Sequence, residues 1–268
     1  RPLEACDTDD SRPFLTSSSL HRTSLTTPHL NLSDLVLIVD NVFQDPHAVR
    51  KFALSQPFDQ DQTKSKSALN PSQQFRRTKS FNSNPSFVPL RHMIETLLGK
   101  STINWEFPSS QNVNFQLAYD DPGEYDSHCV HVDGSSFGGI LYLSPTPSHS
   151  SGTTFFRHKP SGATKVDGSI GTRMLNWEDD KYNMDRWESV QVVDNVFNRL
   201  VLFDAKQFHR SSGYFGHTPE TGRLFMNFFF ELDPRTALQS PVALPSPPLP
   251  PSSSSSSSSL PPPSSPPS

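Results

Sequence analysis

Asp126-Ser127-His128-Cys129-Val130-His131-Val132-Asp133-Gly134, taken with Phe203-Asp204-Ala205-Lys206-Gln207-Phe208-His209-Arg210, is the pair of segments on which the rest of the 268-residue chain turns. His131 and Asp133 stand two residues apart, so on an extended segment both side chains leave the same face. An imidazole and a carboxylate placed this way hold one edge of a metal ion. His209, just past the apolar run Arg199-Leu200-Val201-Leu202-Phe203, is the candidate third ligand. Two imidazoles and one carboxylate on one face of an octahedral ion leave the opposite face open, as in sites that hold non-haem Fe(II) for oxygen chemistry.

The H-x-D pair carries little weight alone. With 10 His and 19 Asp in the chain, chance alone produces about 0.7 such tripeptides. Its context adds weight: it follows one strand pattern and directly precedes another, which puts it at a sheet edge where a site can open. His128 and Cys129 beside His131 raise the question of zinc, but crowded candidates without a fourth partner make a weak zinc pattern. His158 and His217 are expected at the surface.

Upstream of the pair, Val113, Phe115, Leu117 and Tyr119 alternate with Asn114, Gln116 and Ala118, giving a strand with one apolar face and one face of amides. Those amides face either solvent or a polar cavity. Downstream come Phe137 to Leu143, Gly152 to Arg157, Ser189 to Val193, Arg199 to Phe203 and Arg223 to Phe230, short strands separated by Gly, Pro and Asn. The Phe228 to Phe230 run is apolar on both faces, as in a central, doubly covered strand. Many short strands of this kind predict a sandwich or jelly roll. Leu35 to Val39 adds a β-branched strand near the start.

Two helices precede the strands. Asp45-Pro46 is an N-cap followed by Pro at the first helical position, with Val49, Phe52 and Ala53 at helical spacing behind it. Pro89-Leu90 opens the second, with Leu90, Met93, Ile94, Leu97 and Leu98 on one face and Gly99 as its terminator. Both are expected on the outside of a sheet. Between them, Gln62 to Ile94 holds no acidic residue, and Lys64, Lys66, Arg76, Arg77 and Lys79 make the stretch 64–79 basic. A solvated loop is the simpler reading of that stretch, a lid over an acidic substrate or a nucleic-acid contact the alternative.

Three segments follow: a Ser/Thr-rich disordered leader at 1–32, a folded domain at 33–235, and a disordered Pro/Ser-rich tail at 236–268. Within 241–268, 23 of 28 residues are Pro or Ser, too little apolar surface to offset the entropy of ordering. Net charge of -4 exerts no global pull toward nucleic acid or anionic membrane. No apolar run reaches membrane-span length and no signal-peptide pattern is visible. Two cysteines, Cys6 and Cys129, make no disulfide framework, so a reducing, intracellular (cytoplasmic) setting is favoured; a monomer is expected.

His131-Val132-Asp133-Gly134, Gly138-Gly139-Ile140-Leu141-Tyr142-Leu143, Asn198 to Asp204 leading to Phe208-His209-Arg210-Ser211, and Gly222-Arg223-Leu224 together resemble the 2-oxoglutarate and Fe(II)-dependent dioxygenase superfamily, with its prolyl-hydroxylase-like members. The resemblance runs from about Val39 to Glu231. It implies a double-stranded β-helix (jelly roll), mostly β with flanking N-terminal helices packed on one sheet. It also implies His131, Asp133 and His209 as iron ligands and Arg223 as the partner of the far carboxylate of 2-oxoglutarate. Tyr142, Gln116 and Asn114 are candidates for hydrogen bonds to that cosubstrate, with core packing as the alternative for each. The implied activity is hydroxylation or demethylation of a substrate with O2, releasing succinate and CO2; Asp133 points to oxygen insertion, because halogenating relatives lack this carboxylate. The competing class is a non-catalytic jelly-roll module that uses its basic loop and Pro-rich tail for interaction. Arg210, as the neighbour of His209 on an extended chain, is expected to face away from the metal.

Overall fold

The computed structural model describes residues 35–60, 76–81, 83–105, 112–120, 129–166 and 180–236. The expected leader, nearly all of the Pro/Ser tail, Lys64 and Lys66 of the basic stretch, and Asp126 to His128 lie outside the described residues.

The first element, β1 (Val36–Val39), leads to helix α1 (Pro46–Ser55), whose N-cap Asp45 accepts a hydrogen bond from the Ala48 N–H at 2.9 Å. Helix α2 (Val88–Leu98) stops at Gly99, which takes a left-handed φ of 64° and donates to the carbonyl of Thr96. A side chain there would be strained, so the terminator is read correctly from the glycine. Between and after the helices lie the short strands β2 (Asp59–Gln60), β3 (Arg76–Arg77) and β4 (Thr102–Ile103). The strand-rich half follows: β5 (Asn114–Ala118), β6 (Phe137–Tyr142), β7 (Thr153–His158), β8 (Trp187–Val193), β9 (Leu200–Asp204), β10 (His209–Ser211) and β11 (Arg223–Leu232).

These strands form two antiparallel sheets. The larger runs β1-β9-β6-β11-β5-β3-β2, with β4 on the far end of β11; the smaller runs β10-β7-β8, and His131 bridges to His209 on the outer side of β10. From β5 onward the chain therefore crosses repeatedly between layers: β5, β6, β9 and β11 in the large sheet, the His131 segment, β7, β8 and β10 in the small one.

Alternation along the strands sorts the apolar residues into three layers. Leu200, Leu202, Leu224, Met226 and Phe228 pack with Leu90, Ile94, Val49 and Ala53, so the helices cover the outer face of the large sheet as expected. Val201, Phe203 and Phe225 point the other way and meet Phe155 and Val193 between the sheets. Val130, Phe156, Phe208 and Trp187 pack on the outer face of the small sheet. Burying each such side chain stabilises by roughly 1.5–3 kcal/mol. Asn198, at a left-handed φ of 66°, ties the start of the chain to this frame: its carboxamide accepts from Phe43 N–H at 2.9 Å and donates to Phe43 carbonyl at 2.8 Å.

Two expectations need correction here. His158 is not a surface residue; it is 2% exposed, with its Nε2 3.1 Å from Asp180, whose other oxygen accepts from Arg186. The apolar environment of Trp187, 4.9 Å away ring to ring, is what a lone histidine in a strand does not disclose. Second, Phe229 is not covered by a closed core, because its face of β11 borders a cavity. His217 is exposed, as expected.

Candidate metal centre

The layer between the sheets is filled at one side by aromatic packing and opens at the other into a cavity of about 350 Å³. His131, Asp133 and His209 line it, and one ligand atom from each lies within 4.8 Å of the others. Strand pairing brings this about. His131 and His209 exchange reciprocal backbone hydrogen bonds of 2.9 Å, which puts their rings on one face with centroids 4.5 Å apart. Asp133 is pinned by its own N–H to the Ala205 carbonyl, and Lys206 Nζ donates to the carbonyls of Asp133 and Gly134, each at 2.9 Å.

Both imidazoles are oriented by the same device. His131 Nδ1 lies 3.1 Å from the Cys129 carbonyl and His209 Nδ1 lies 2.8 Å from the Gln207 carbonyl. A carbonyl only accepts, so each Nδ1 carries the proton and each Nε2 offers its lone pair. Those Nε2 atoms stand 3.9 Å and 3.4 Å from the two Asp133 carboxylate oxygens. Burial pushes the Asp133 carboxyl up, but the His209 and His131 imidazoles and Lys206 outweigh it and hold it below the ordinary value. Burial likewise pulls His209 down, and the Asp133 carboxylate reverses this, leaving it above the ordinary imidazole value. Two neutral nitrogen donors and a carboxylate facing one point are a donor set for a divalent first-row metal, so the residues fit the ion the sequence implies. Cys129 also lines the cavity, whereas His128 lies outside the described residues.

Gly138 and Gly139 make room for this arrangement. A Cβ at Gly138 would lie 2.9 Å from the Phe203 ring and 3.4 Å from Asp133 Oδ2; one at Gly139 would strike Leu202 on the opposite face. Phe203 in turn packs edge-on against His209 at 4.8 Å.

Arg223 is 0% exposed at the start of β11. Its Nε donates to the Ser151 carbonyl at 2.7 Å, one terminal nitrogen to the Gly152 carbonyl at 3.1 Å and the other to Ser211 Oγ at 3.2 Å. Aromatic rings of Phe225, Tyr214 and Tyr142 surround it. Among the described residues it makes no ion pair with a carboxylate; Glu231 instead accepts from Ser136 N–H. Arg223 itself stands behind the cavity lining, but Ser211, which it holds, lines the cavity two residues along β10 from His209.

The remaining expected residues divide. Gln116 lines the cavity, so the amide face of β5 looks inward and not into solvent. Asn114, 0% exposed, accepts from Gln116 Nε2 at 3.3 Å and stands behind it, outside the cavity lining. Tyr142 also lies behind the wall, its hydroxyl 2.7 Å from Thr153 Oγ1, which does reach the cavity; burial pushes its phenol up, so it stays protonated. Arg210 stacks over Phe156 at 5.7 Å, on the outward side as alternation requires, yet still contributes to the cavity wall. Within the basic stretch, Arg77 lies not on a solvated loop but on strand β3, on the cavity wall beside Gln116. Sequence reading did not single out Ser211, Thr153 or Asn227; inward alternation on their strands is the signal that could have found them.

Fold and side chains together define a two-sheet, mostly antiparallel β protein with a three-residue His-Asp-His group facing an internal cavity. A family of unknown function, DUF6445, matches residues 22–230, a span that takes in all three residues and Arg223, and the chain belongs to that family. No curated protein matches the sequence significantly. Among solved structures the chain is similar to HygX from Streptomyces hygroscopicus with nickel, 2-oxoglutarate and hygromycin B bound, at 14% identity over 73% of this chain and 82% of that one, with a TM-score of 0.43. It is also similar to a prolyl hydroxylase from Trichoplax adhaerens in complex with a hypoxia inducible factor peptide fragment, at 11% identity over 73% and 83%, TM-score 0.44. A Pseudomonas putida prolyl-4-hydroxylase gives 12% identity over 74% and 92%, TM-score 0.36. Likenesses this distant leave the function to be read from the side chains.

Proposed function

We propose that the chain is an Fe(II)- and 2-oxoglutarate-dependent oxygenase on a double-stranded β-helix, and that it hydroxylates or demethylates its substrate. The observation that carries this is the pairing of the His-Asp-His group with a buried guanidinium that has no carboxylate partner among the described residues. A desolvated cation held only by neutral acceptors is costly, and an anion entering the cavity offsets that cost. His209 and Ser211 sit two residues apart on β10, about 6.6–6.8 Å along a strand, which matches the reach between the two carboxyl ends of a five-carbon dicarboxylate.

His131, Asp133 and His209 would hold the metal. Fe(II) bound with 2-oxoglutarate supplies oxidation by O2 coupled to decarboxylation of 2-oxoglutarate to succinate. The chain's own part is positional. Ser211 and Thr153 offer hydroxyls from the cavity wall to the far carboxylate, Arg223 behind Ser211 would exchange its bond to Ser211 Oγ for one to that carboxylate, and Tyr142 orients Thr153. Phe203 and Phe225 keep that end of the cavity dry.

The test is an anaerobic Fe(II) titration with and without 2-oxoglutarate, followed by succinate measurement after O2 is admitted. Binding of 2-oxoglutarate only to metal-loaded protein, with succinate released, is expected. A chain that binds the metal but neither binds nor consumes 2-oxoglutarate would leave the non-catalytic module as the better reading.

A further inference from the structure

The cavity has a further polar wall, carried by β11, β5 and β3. Asn227 lies on β11 between Phe225 and Phe229, and all three line the cavity. Its Oδ1 is buried and has no hydrogen-bond partner among the described residues. A buried polar atom without a partner is costly, and one that faces a cavity is satisfied by what the cavity binds.

Neighbouring strands extend the wall. Asn227 pairs in register with Asn114, Phe225 with Gln116, and Gln116 with Arg77. Residues directly opposite one another on antiparallel strands project to the same face, and Gln116 and Arg77 line the same cavity as Asn227. Asn114 holds Gln116 in place. From β11 to β3 the strip spans two strand spacings, about 10 Å between backbones, which the long Arg77 side chain shortens.

Apart from the His-Asp-His group, the charged side chains on the cavity wall among the described residues are Arg77 and Arg210, both cationic. That pair favours a carboxylate, since a guanidinium receives it through two parallel hydrogen bonds. At about 350 Å³ the cavity is also at the small end of ligand sites, and it must hold the cosubstrate as well.

Resting on the oxygenase reading, we infer that Asn227, Gln116 and Arg77 form the recognition subsite for the primary substrate. That substrate is a compact molecule carrying a carboxylate and a nearby ammonium group, the chemistry of a free amino acid. Arg77 takes the carboxylate and Asn227 the N–H.

The experiment uses the full chain loaded with Zn(II) and 2-oxoglutarate, so that binding is read without turnover. Calorimetry compares free L-amino acids (leucine, proline, glutamine, glutamate) with their carboxamides, their N-acetyl derivatives and the matching 2-hydroxy acids. At least one free amino acid is expected to bind, and its carboxamide and N-acetyl forms to bind at least tenfold more weakly. Arg77→Gln is expected to abolish the preference for acid over carboxamide, and Asn227→Leu the preference for free amine over N-acetyl. Each ratio is taken within one variant, so a general loss of affinity does not mimic it; if Asn227→Leu does not melt cooperatively, Asn227→Ser takes its place. Should 2-oxoglutarate bind while no amino acid does, or should both ratios survive the substitutions, the subsite assignment is overturned and the oxygenase reading stands. Failure of 2-oxoglutarate itself to bind overturns both.

Discussion

Arg223 shows how a single residue can imply a ligand. Its guanidinium is sealed from solvent among carbonyls, a hydroxyl and aromatic rings. Replacing it with Ala is expected to weaken 2-oxoglutarate binding by roughly 1.5–3 kcal/mol, the scale of a hydrogen bond to a charged group. Lys, a point charge, recovers only part of that. Calorimetry on Zn(II)-loaded protein measures the loss, and metal affinity stays nearly unchanged because Arg223 contacts no proposed ligand. Arg223 was legible because a basic residue opens a strand soon after His209; its lack of a carboxylate partner was not, since partners are set by tertiary packing. A second expectation concerns pH. A metal needs the His209 Nε2 free, and the Asp133 carboxylate raises the pKa of that imidazole. In the metal-free protein the resulting ion pair stabilises from above the depressed Asp133 pKa up to the raised His209 pKa, and is lost as pH rises through the latter. Metal binding runs the other way. The melting-temperature increase caused by Zn(II) should therefore grow as pH rises through a point above the ordinary imidazole value and then level off. Flat dependence across that range would contradict the assignment of His209. Lys206→Met, which removes the clasp on the Asp133 and Gly134 carbonyls, should lower metal affinity about 10-fold or more, as loss of a ligand-orienting partner does.

Elements differ in how plainly the sequence announces them, and the reason is length. Helices α1 and α2 declare themselves through Asp45-Pro46 and Gly99, and the long strands through alternation. The short ones do not. β10 has three residues and β2, β3 and β4 two each, too few for any period to register. Yet β10 carries His209, and β3 carries Arg77 to the cavity. The amide face of β5 was legible as a pattern but not as a direction, because alternation fixes which residues share a face and not what that face meets. At β6 the pair Gly138-Gly139 marks where this strand lets its neighbours close in. Gly138→Ala would press a methyl against Phe203, which is wedged between Phe155 and His209. Overpacking of this kind costs about 1–3 kcal/mol. A lower melting temperature is expected together with weaker Zn(II) binding, since the ring that yields is the one bracing His209. Gly134→Ala is the control: a Cβ there meets nothing within 4 Å, so neither quantity should move.

For the whole molecule, the question is which parts of the chain the site needs. Its residues come from three separated segments, the His131 segment, β10 and β11, and only the two sheets bring them together. The proposed metal binding would thus be a property of the folded domain, and a metal at 100 times its dissociation constant should stabilise that domain by about 2.7 kcal/mol. The C-terminal limit of the domain can be placed from β11. Phe228 and Phe230 are buried under the helices, Leu232 pairs with Thr102, and Asp233 N–H donates to the Ser101 carbonyl. Beyond that, Arg235 bonds to Asp233 in an exposed turn. From 241 onward Pro and Ser supply nearly every residue, leaving no periodic apolar face to pack. Truncation after Thr236 is therefore expected to leave the melting temperature and Zn(II) affinity of the chain unchanged. Truncation before Phe228 should abolish cooperative melting, because it removes two buried aromatic side chains and half of the central strand. If the first truncation instead lowers the melting temperature substantially, the tail contributes to the core, and the boundary at 235 drawn from composition is misplaced.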